Sequence, residues 1–495
     1  MVDRGWRARA RGLIESEEDL VVVEATAPLL LRSPPFPWVG EKVAAVSLPG
    51  GSRLADPERL FAAMRQTGVG GAFWLPAAER AGAEGPNEQG ILRWIAGDPG
   101  GPDRRAEAIS AVEAASYRNP FTGAPCDAHD AVKVLEDWRD LLCANRRIAA
   151  AVGMSAWKRD AIGRLLWDGA RRPAFLSADH ALSTATAGEA IVYWPSRAPA
   201  DFPARAARQG VEAWQVEDGF LRSSGLGAEC RPPWSIMVDR SGGIHYDPNS
   251  PSEIERLLAT HAFEEPLLRR ARALREQIVA ARLCKYGVDD GAAPPALPAG
   301  KRIALAIGQV ADDLAVSRSG ETRMAGFLKA VREREPGAFI IYRPHPDVLA
   351  GLRNGDVPRP SEVDLIVAGG SLLALLDKVQ AVHVWSSLTG FEALMRDVEV
   401  TVHGTPFYAG WGLTHDLAPI PSRRRRQLPL DALVAAALIL APRYLDPLTG
   451  LPCSPEVLVQ RLAKMAKPAY NALTGFRRAY GAARVAARQV VKGRL

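Results

Sequence analysis

The alternation of apolar strand-like runs with helical runs most constrains what this chain can fold into. Residues 189–194, EAIVYW, are apolar, β-branched or aromatic apart from the first and predict a buried strand. A helical run follows at 200–209, and residues 211–216 predict a second strand that leads into Glu217 and Asp218. Strands that alternate with helices form mostly parallel sheets. This stretch therefore predicts half of a doubly wound α/β domain.

The polar residues that follow these two strands predict a ligand site. In doubly wound sheets, ligands bind outside the carboxyl ends of the strands. Arg197 follows the first strand, and Glu217, Asp218 and Arg222 follow the second. Gly219, Gly225 and Gly227 lie among or just after them, and glycines there allow a positive φ and a close approach of the backbone to a ligand. We therefore expect chemistry at this edge of the sheet.

A second α/β unit is predicted from residue 301 onward, after the linker-like run DDGAAPPALPAG. Three of its predicted strands end in polar side chains: Gln309 with Asp312 and Asp313, Arg343 with His345, and Ser386 and Ser387 with Thr389. Two serines at the start of a helix favour phosphate, because hydroxyls and free amides donate to it and the helix dipole attracts negative charge. Arg343 and His345 add positive charge. The alternative is that Ser386 only caps the helix and His345 is an ordinary loop residue.

Composition excludes several classes of protein. With 47% hydrophobic and 24% charged residues the chain is typical of soluble globular proteins. Its longest apolar run, 433–441, is far shorter than the roughly 20 residues that cross a membrane, and the N-terminus lacks a signal-peptide pattern, so we expect the cytoplasm. Five cysteines without a CxxC pair argue against a disulfide framework or a zinc site. Asp312 and Asp313 lack a third ligand at a suitable spacing, so we expect no metal.

Positive charge is concentrated in two places. Residues 423–426 are four consecutive arginines, and nine basic and no acidic residues fall between 461 and 495. Such runs are usually solvated faces. The alternative is that an amphipathic helix after Gly475, together with the arginine run, binds an anionic membrane surface. No nucleic-acid recognition motif accompanies the charge, so we expect no nucleic-acid partner.

Two further patterns predict local structure. The octapeptide NPFTGAPC at 119–126 returns as DPLTGLPC at 446–453, which indicates punctuation at both ends of a single module. Residues 130–152 predict one long helix with Ile148 on its apolar side, and Ser155 is the predicted N-cap of the next helix. A further helix is predicted to begin at residues 251–253, because Ile254, Leu257 and Leu258 follow at helical spacing.

Short runs in both α/β units resemble those of known glycosyltransferases. In order, Glu217-Asp218-Gly219, His345-Pro346 and Ser386-Ser387 resemble the three signatures of bacterial sialyltransferases, which use CMP-sugar donors on a GT-B fold. Longer strings are more specific: VEDGFLRSSGLG, PPWSIMVDRSGGIHYDPNSPSEIE, GQVADD, YRPHPD, WSSLTGFEALMR and GTPFYAGWGLTHD. Together, over residues 117–462, they resemble the capsule polysaccharide β-Kdo transferases of the KpsC type.

The resemblance implies an α/β, GT-B-like fold with two Rossmann-like doubly wound domains that face each other across a cleft. We expect a poorly defined N-terminal extension at 1–115 and a first Rossmann-like domain at 116–290, with leading helices, the acceptor side and the catalytic aspartate. A second Rossmann-like domain at 300–445 would bind the CMP-sugar, and basic helices would follow at 446–495. One full set of motifs predicts a single-module member of the family.

The resemblance also implies an activity: transfer of Kdo from CMP-Kdo to a Kdo-primed, lipid-linked acceptor, in the linker between capsule and anchor. Asp218 matches the catalytic carboxylate, either as the nucleophile of a retaining β-Kdo transferase or as a general base, with Glu217 beside it. His345, also counted as catalytic, would contact the donor phosphate. The remaining expected contacts are Ser386 and Ser387 with the phosphate or ribose, Gln309 with the cytosine, and Arg222, Lys158 and Arg197 with the Kdo carboxylates. For Lys158 and Arg197 a solvated surface role is the alternative.

The expected partners follow from this activity. They are a CMP-sugar, a lipid-linked Kdo acceptor and the anionic inner face of the inner membrane, with other capsule assembly proteins as further candidates and no cofactor. Two alternatives stay open. One is a non-catalytic capsule biosynthesis or export adaptor that retains the fold, and the other is a GT-B enzyme that uses another nucleotide sugar.

Overall fold

The computed structural model describes residues 20–21, 72–73, 117–126, 134, 137, 141, 144–145, 147–167, 172–223, 231–285, 287–289, 292–309, 324–345, 348 and 361–465. The predictions for Gly225, Gly227, Asp312, Asp313, Pro346 and the helix after Gly475 lie outside these residues. The chain divides into two compact units. Unit 1 comprises Met1–Ala150, Asp160–Ala174 and Tyr444–Leu458, and unit 2 comprises Ala151–Arg159, Phe175–Arg443 and Val459–Leu495.

The strands of the described residues are numbered in chain order. They are β1 (Leu20–Val21), β2 (Ala72–Phe73), β3 (Tyr117–Arg118), β4 (Pro125–Cys126), β5 (Ile148–Val152), β6 (Ala174–Leu176), β7 (Ala190–Tyr193), β8 (Glu212–Asp218), β9 (Ser235–Asp239), β10 (Leu283–Cys284), β11 (Gly287–Val288), β12 (Ile303–Ile307), β13 (Phe339–Arg343), β14 (Leu365–Ile366), β15 (Ala381–Val384), β16 (Glu399–Val402), β17 (His415–Asp416), β18 (Pro442–Leu445) and β19 (Pro452–Cys453).

The helices with defined bounds alternate with these strands through most of the chain. They are α1 (Arg159–Leu165), α2 (Ala178–Thr184), α3 (Phe202–Arg208), α4 (Glu253–Thr260), α5 (Glu265–Ala280), α6 (Met324–Arg334), α7 (Leu372–Leu376), α8 (Thr389–Leu394), α9 (Leu430–Val434) and α10 (Pro455–Lys464), with a 3₁₀ turn at Ala156–Lys158 and a π-helical segment at Ala435–Leu440. In the part of the chain that the structure describes, none of the helices combines the length and the apolar character that a membrane crossing requires.

Unit 2 contains two sheets, the first with both parallel and antiparallel pairs and the second parallel throughout. The first sheet has the order β18-β9-β8-β7-β5-β6, counting every strand that lies at least partly in unit 2. Its central pair β7 and β8 is parallel, whereas β8 and β9 are antiparallel, with Asp218 opposite Ile236. The second sheet has the order β14-β13-β12-β15-β16-β17, and every neighbouring pair in it is parallel. The predicted fold class, α/β with strands and helices in alternation, is confirmed.

Apolar burial holds these sheets together. The central strand β12, IALAI, is buried at every position, and α6 packs on it through Phe327, Leu328 and Val331. Helix α4 begins where the sequence predicts, because the hydroxyl of Ser252 accepts the N–H of Glu255 and caps it.

The predicted helix over 130–152 is wrong in its last third. Residue 145 is still helical, but Ile148–Val152 is a buried strand whose final carbonyl accepts the N–H of Trp194 at 3.0 Å. Apolar runs of this length fit a buried strand and a buried helix equally well, so periodicity does not separate them. Ser155 occupies the N-cap position of the following 3₁₀ turn, without a side-chain hydrogen bond to it.

The repeated octapeptide forms the same hairpin turn twice in unit 1. It joins β3 to β4 and β18 to β19, both antiparallel pairs. In the first copy the side chain of Asn119 accepts the N–H two residues further on at 2.9 Å, and in the second Asp446 does so at 3.1 Å. Gly123 and Gly450 both have φ of 70°, which favours glycine. The echo in the sequence is therefore a repeated turn.

The arginine run at 423–426 is an internal brace in unit 2, so the expectation of a solvated or membrane-binding face is wrong for three of its four residues. Arg424 is 6% exposed and donates to the carbonyls of Pro406 and Ala409. Arg423 pairs with Glu255 at 2.7 Å and Arg426 donates to carbonyls at the end of α4, whereas Arg425 is exposed. The guanidinium groups that were expected to face lipid instead contact backbone carbonyls and the carboxylate of Glu255.

Candidate active site

A fully ion-paired carboxylate lies at the carboxyl end of β8. Asp218, the last residue of the strand, accepts from Lys158 Nζ at its Oδ1, 2.9 Å away. Arg222 Nε donates to its Oδ2 at 2.6 Å. The side chains of Lys158, Asp218 and Arg222 are 8%, 14% and 1% exposed. The structure therefore brings together three of the predicted site residues, and the solvated surface role for Lys158 is wrong.

Both cations are held by further contacts. Lys158 Nζ lies over the ring of Trp194, 3.6 Å from its centroid, which favours the charged ammonium. The other two nitrogens of Arg222 donate to Ser223 Oγ at 2.7 Å and to the carbonyl of Arg231 at 2.9 Å. These contacts fix the positions of both cations beside Asp218.

The environment separates the acidities of the two neighbouring carboxyl groups. Burial favours the neutral form of Asp218, but the charges of Arg222 and Lys158 outweigh it and lower its pKa to about 2. Burial, and then the charge of Asp218, raises the pKa of Glu217 to about 7. Burial also lowers the pKa of Lys158, against the pull of Asp218. At neutral pH Asp218 is therefore a carboxylate, while Glu217 is present in both its protonated and its ionised form.

Gly219 is required by packing within the sheet. Its φ is outside the positive region, so the expected left-handed turn is wrong. A Cβ at this position would lie 2.2 Å from the hydroxyl oxygen of Ser235 on β9. The close approach that Gly219 allows in this structure is therefore between two strands.

The polar residues of the second sheet form another cluster. Gln309, after β12, accepts the N–H of Ser386 at 2.8 Å and donates to its hydroxyl oxygen at 3.1 Å. The hydroxyl of Ser387 accepts the N–H of Thr389 at 3.3 Å, and its carbonyl accepts the N–H of Gly390 at 3.1 Å. The backbone amides of Ser386, Thr389 and Gly390, which were expected to bind phosphate, thus donate to protein acceptors. The groups that the two serines can offer to a phosphate are therefore their hydroxyl protons.

Helix α8 is capped differently from the alternative prediction. It has six residues, its N-cap is Leu388, and Ser387 rather than Ser386 accepts an N–H of its first turn. The idea that Ser386 merely caps the helix is therefore wrong. Ser386 belongs to the link with Gln309 that joins the ends of β12 and β15.

The remaining predicted residues lie near their strand ends. Arg343 ends β13 and donates to the carbonyls of Gly369 and Gly370 at 2.9 and 2.7 Å. His345 follows it, and its carbonyl accepts the N–H of Val348 at 3.1 Å. Arg197 is exposed in the turn after β7. None of the contacts described for these three residues joins them to Asp218.

Residues that the sequence analysis missed connect the two clusters within unit 2. Phe220, two residues after Asp218, stacks on Phe407 with ring centroids 4.7 Å apart and contacts Phe391 of α8 at 6.0 Å. The N–H of Lys285 donates to the side chain of Glu392, also in α8, at 3.0 Å. The carbonyl of Lys285 accepts the N–H of Arg222 at 3.2 Å. The only signal for Phe220 and Phe391 was their place inside the motif strings. The Asp218 end of β8 is therefore tied to the helix that follows the serines.

Comparison with known proteins gives a consistent result. The family described as capsule polysaccharide biosynthesis protein matches residues 189–444. The capsule polysaccharide modification protein LipA of Neisseria meningitidis serogroup A is 34% identical over 366 residues, which is 72% of this chain and 51% of LipA. The lipopolysaccharide-processing protein LpsZ of Rhizobium meliloti is 39% identical over 59% of this chain and 69% of LpsZ. The chain thus spans about half the length of LipA.

Two solved structures are also similar. The β-Kdo 2,4 transferase of Thermosulfurimonas dismutans KpsC is 29% identical and superposes with a TM-score of 0.56 over 64% of this chain and 98% of its own. The β-Kdo 2,7 transferase of the same KpsC is 29% identical with a TM-score of 0.50 over 63% of this chain. The predicted GT-B-like α/β fold and the resemblance to KpsC-type proteins are confirmed.

Proposed function

Because this chain belongs to the capsule polysaccharide biosynthesis protein family, we propose that it is a retaining glycosyltransferase that transfers Kdo from CMP-Kdo to a Kdo-primed glycolipid. The similarity to two Kdo transferase structures supports the reaction class. The observation that carries the proposal is the Lys158–Asp218–Arg222 cluster at the end of β8.

This cluster suits an acidic sugar donor. Kdo carries a carboxylate, and Lys158 and Arg222 are two buried cations that can share their charge between it and Asp218. A transition state with positive charge at the anomeric carbon needs a carboxylate beside it. Asp218, ionised at neutral pH with a pKa of about 2, supplies one.

The low pKa of Asp218 favours the nucleophile over the general base. A base works best when its pKa lies near the working pH, and a pKa of about 2 makes Asp218 a weak proton acceptor. As a nucleophile it needs no proton removed. In the first step its Oδ bonds to the anomeric carbon, the bond from that carbon to the phosphate oxygen breaks, and the electron pair leaves with CMP.

In the second step an acceptor hydroxyl bonds to the same carbon and the bond to Asp218 breaks. Two inversions at one carbon retain the configuration. The proton of the acceptor hydroxyl goes to Glu217, whose raised pKa of about 7 suits a base at neutral pH.

The second sheet serves the leaving group in this proposal. Hydroxyls of Ser386 and Ser387 donate to the CMP phosphate, and Arg343 and His345 add positive charge at the neighbouring strand end. The lipid-linked acceptor places the reaction at the inner face of the inner membrane. Sedimentation of the full chain with anionic vesicles tests that placement.

The proposal is tested by incubating the protein with CMP-Kdo and a short Kdo-primed glycolipid and measuring CMP release. Asp218→Asn should lower the rate by roughly 10³-fold or more, because a neutral amide does not form the covalent intermediate. Asp364→Asn, which removes another ion-paired carboxylate, should leave the rate unchanged. A mass increase of one Kdo residue in intact-protein mass spectrometry, present in the wild type and absent from Asp218→Asn, identifies the nucleophile.

The result also separates the alternatives. A wild-type protein that releases no CMP would support the non-catalytic adaptor or another donor and would refute the proposal. The pH profile tests Glu217: kcat/KM should rise as the pH passes about 7, because the base must be deprotonated. Glu217→Gln should lose this rise, and a profile that keeps it excludes Glu217 as the base.

A further inference from the structure

The contact between Gln309 and Ser386 has a defined polarity. The backbone N–H of Ser386 can only donate, so the atom of Gln309 that faces it at 2.8 Å must be Oε1. The amide orientation is thereby fixed, and Nε2 faces the hydroxyl oxygen of Ser386 at 3.1 Å. Nε2 can only donate, so the Ser386 oxygen accepts.

The hydroxyl oxygen of Ser387 is also an acceptor. The backbone N–H of Thr389 donates to the hydroxyl oxygen of Ser387 at 3.3 Å. Each serine hydroxyl has one proton, and in both contacts the oxygen is the acceptor. Neither proton is therefore used in these contacts, and each can donate to a ligand that accepts hydrogen bonds. Phosphate oxygens are acceptors of this kind.

We propose that Gln309 is a positioning residue that turns the hydroxyl proton of Ser386 toward the phosphate of the donor nucleotide, in place of the cytosine contact expected from the sequence. The inference rests on the proposed function, because the phosphate is that of a CMP-linked sugar. Both polar groups of the Gln309 side chain, its carbonyl and its amino group, bond to Ser386, so they link the end of β12 to the end of β15. The link fixes the Ser386 hydroxyl relative to both strands.

The rest of the turn is held from the other side. The phenol of Tyr408 donates to the carbonyl of Ser387 at 2.5 Å. Gly390 makes room for it, because a Cβ there would lie 2.3 Å from the phenol oxygen. With Tyr408 fixing the backbone of Ser387, Gln309 is left to set the direction of the Ser386 hydroxyl.

Binding of CMP and of cytidine to the full chain separates a phosphate-directing role from a base contact. Isothermal titration calorimetry on Gln309→Met should show CMP affinity reduced roughly 10- to 100-fold, the factor that one hydrogen bond to a charged group supplies. Cytidine, which lacks the phosphate, should bind as it does to the wild type. Gln309→Glu keeps an acceptor for the Ser386 N–H but draws the hydroxyl proton to the new carboxylate, so it should also lose CMP and keep cytidine.

Gln380→Met is the matched control. The side chain of Gln380 accepts the N–H of Ile303 at 2.9 Å and so links the same two strands at their opposite ends. It should leave the affinity for both nucleotides unchanged. Ser386→Ala should reproduce the loss of CMP affinity, and the double variant with Gln309→Met should be no weaker than the single variants, because both changes remove one interaction.

Three outcomes would contradict the inference. Equal losses of CMP and cytidine affinity in Gln309→Met would show a base contact and overturn it alone. Additive losses in the double variant would show that Gln309 acts independently of Ser386 and would also overturn it. A wild-type protein that binds no CMP would overturn the proposed donor, and the inference with it.

Discussion

Replacement of Lys158 by methionine should strongly lower activity while leaving stability nearly unchanged. The variant loses a charge-assisted hydrogen bond to Asp218 at 2.9 Å, worth about 1.5–3 kcal/mol, and a cation–π contact with Trp194 at 3.6 Å, worth about 2 kcal/mol when desolvated. Against this stands the cost of burying an ammonium that is only 8% exposed, several kcal/mol for a buried ion. The lowered pKa of Lys158 reflects that cost.

These contributions nearly cancel, so the melting temperature should change by only a few degrees. Asp218 keeps Arg222 at 2.6 Å and stays ionised, although its pKa should rise. In the proposed reaction the donor carboxylate loses a preorganised cation, and a loss of one such group costs roughly 100- to 1,000-fold in rate. We therefore expect kcat/KM for CMP-Kdo to fall by that factor.

Calorimetric melting and the CMP release assay measure the two quantities on the same preparation. Lys329→Met is the control, because Lys329 is 71% exposed and pairs with Glu333 at 3.8 Å on the surface of α6. A Lys158→Met enzyme with the wild-type kcat/KM would show that Lys158 only fills space beside Asp218. A melting temperature lower by ten degrees or more would refute the cancellation of the stability contributions.

Two further predictions concern the residues that shape the site. Gly390→Ala should lower the free energy of unfolding by about 1–3 kcal/mol in chemical denaturation, because the added Cβ would lie 2.3 Å from the phenol oxygen of Tyr408. Gly326→Ala is the control: its added Cβ meets nothing within 4 Å, so it should not destabilise the protein. Equal effects at both glycines would contradict this steric reasoning. Arg424→Met should cost about 3–5 kcal/mol, since it removes the donor to the carbonyls of Pro406 and Ala409 and one of the two arginines beside the buried Glu255. Arg425→Met should change stability by no more than about 0.5 kcal/mol. If the two arginine variants melt alike, the brace at 423–426 does not stabilise the fold.

Local signals in the sequence predicted much of the fold. The strand before Asp218, the helix that begins at Glu253 and the buried strand β12 lie where the apolar pattern predicts them. The same kind of signal failed at Ile148, because five apolar residues fit a buried strand as well as a helix. The prediction of a solvated or membrane-binding face at the arginine run was also wrong, because a sequence does not show which backbone carbonyls its side chains will contact.

The sequence by itself determined which chemical groups end the strands: a carboxylate after one, and a glutamine and two serines after others. Hydrogen bonding and apolar spacing act over a few residues, so those assignments needed no knowledge of the packing. Only the tertiary structure decided the partners, because the contacts that define them join distant parts of the chain. Lys158 meets Asp218 across 60 residues, and Gln309 meets Ser386 across 77. Such pairs depend on how strands are ordered in a sheet, which no local pattern encodes.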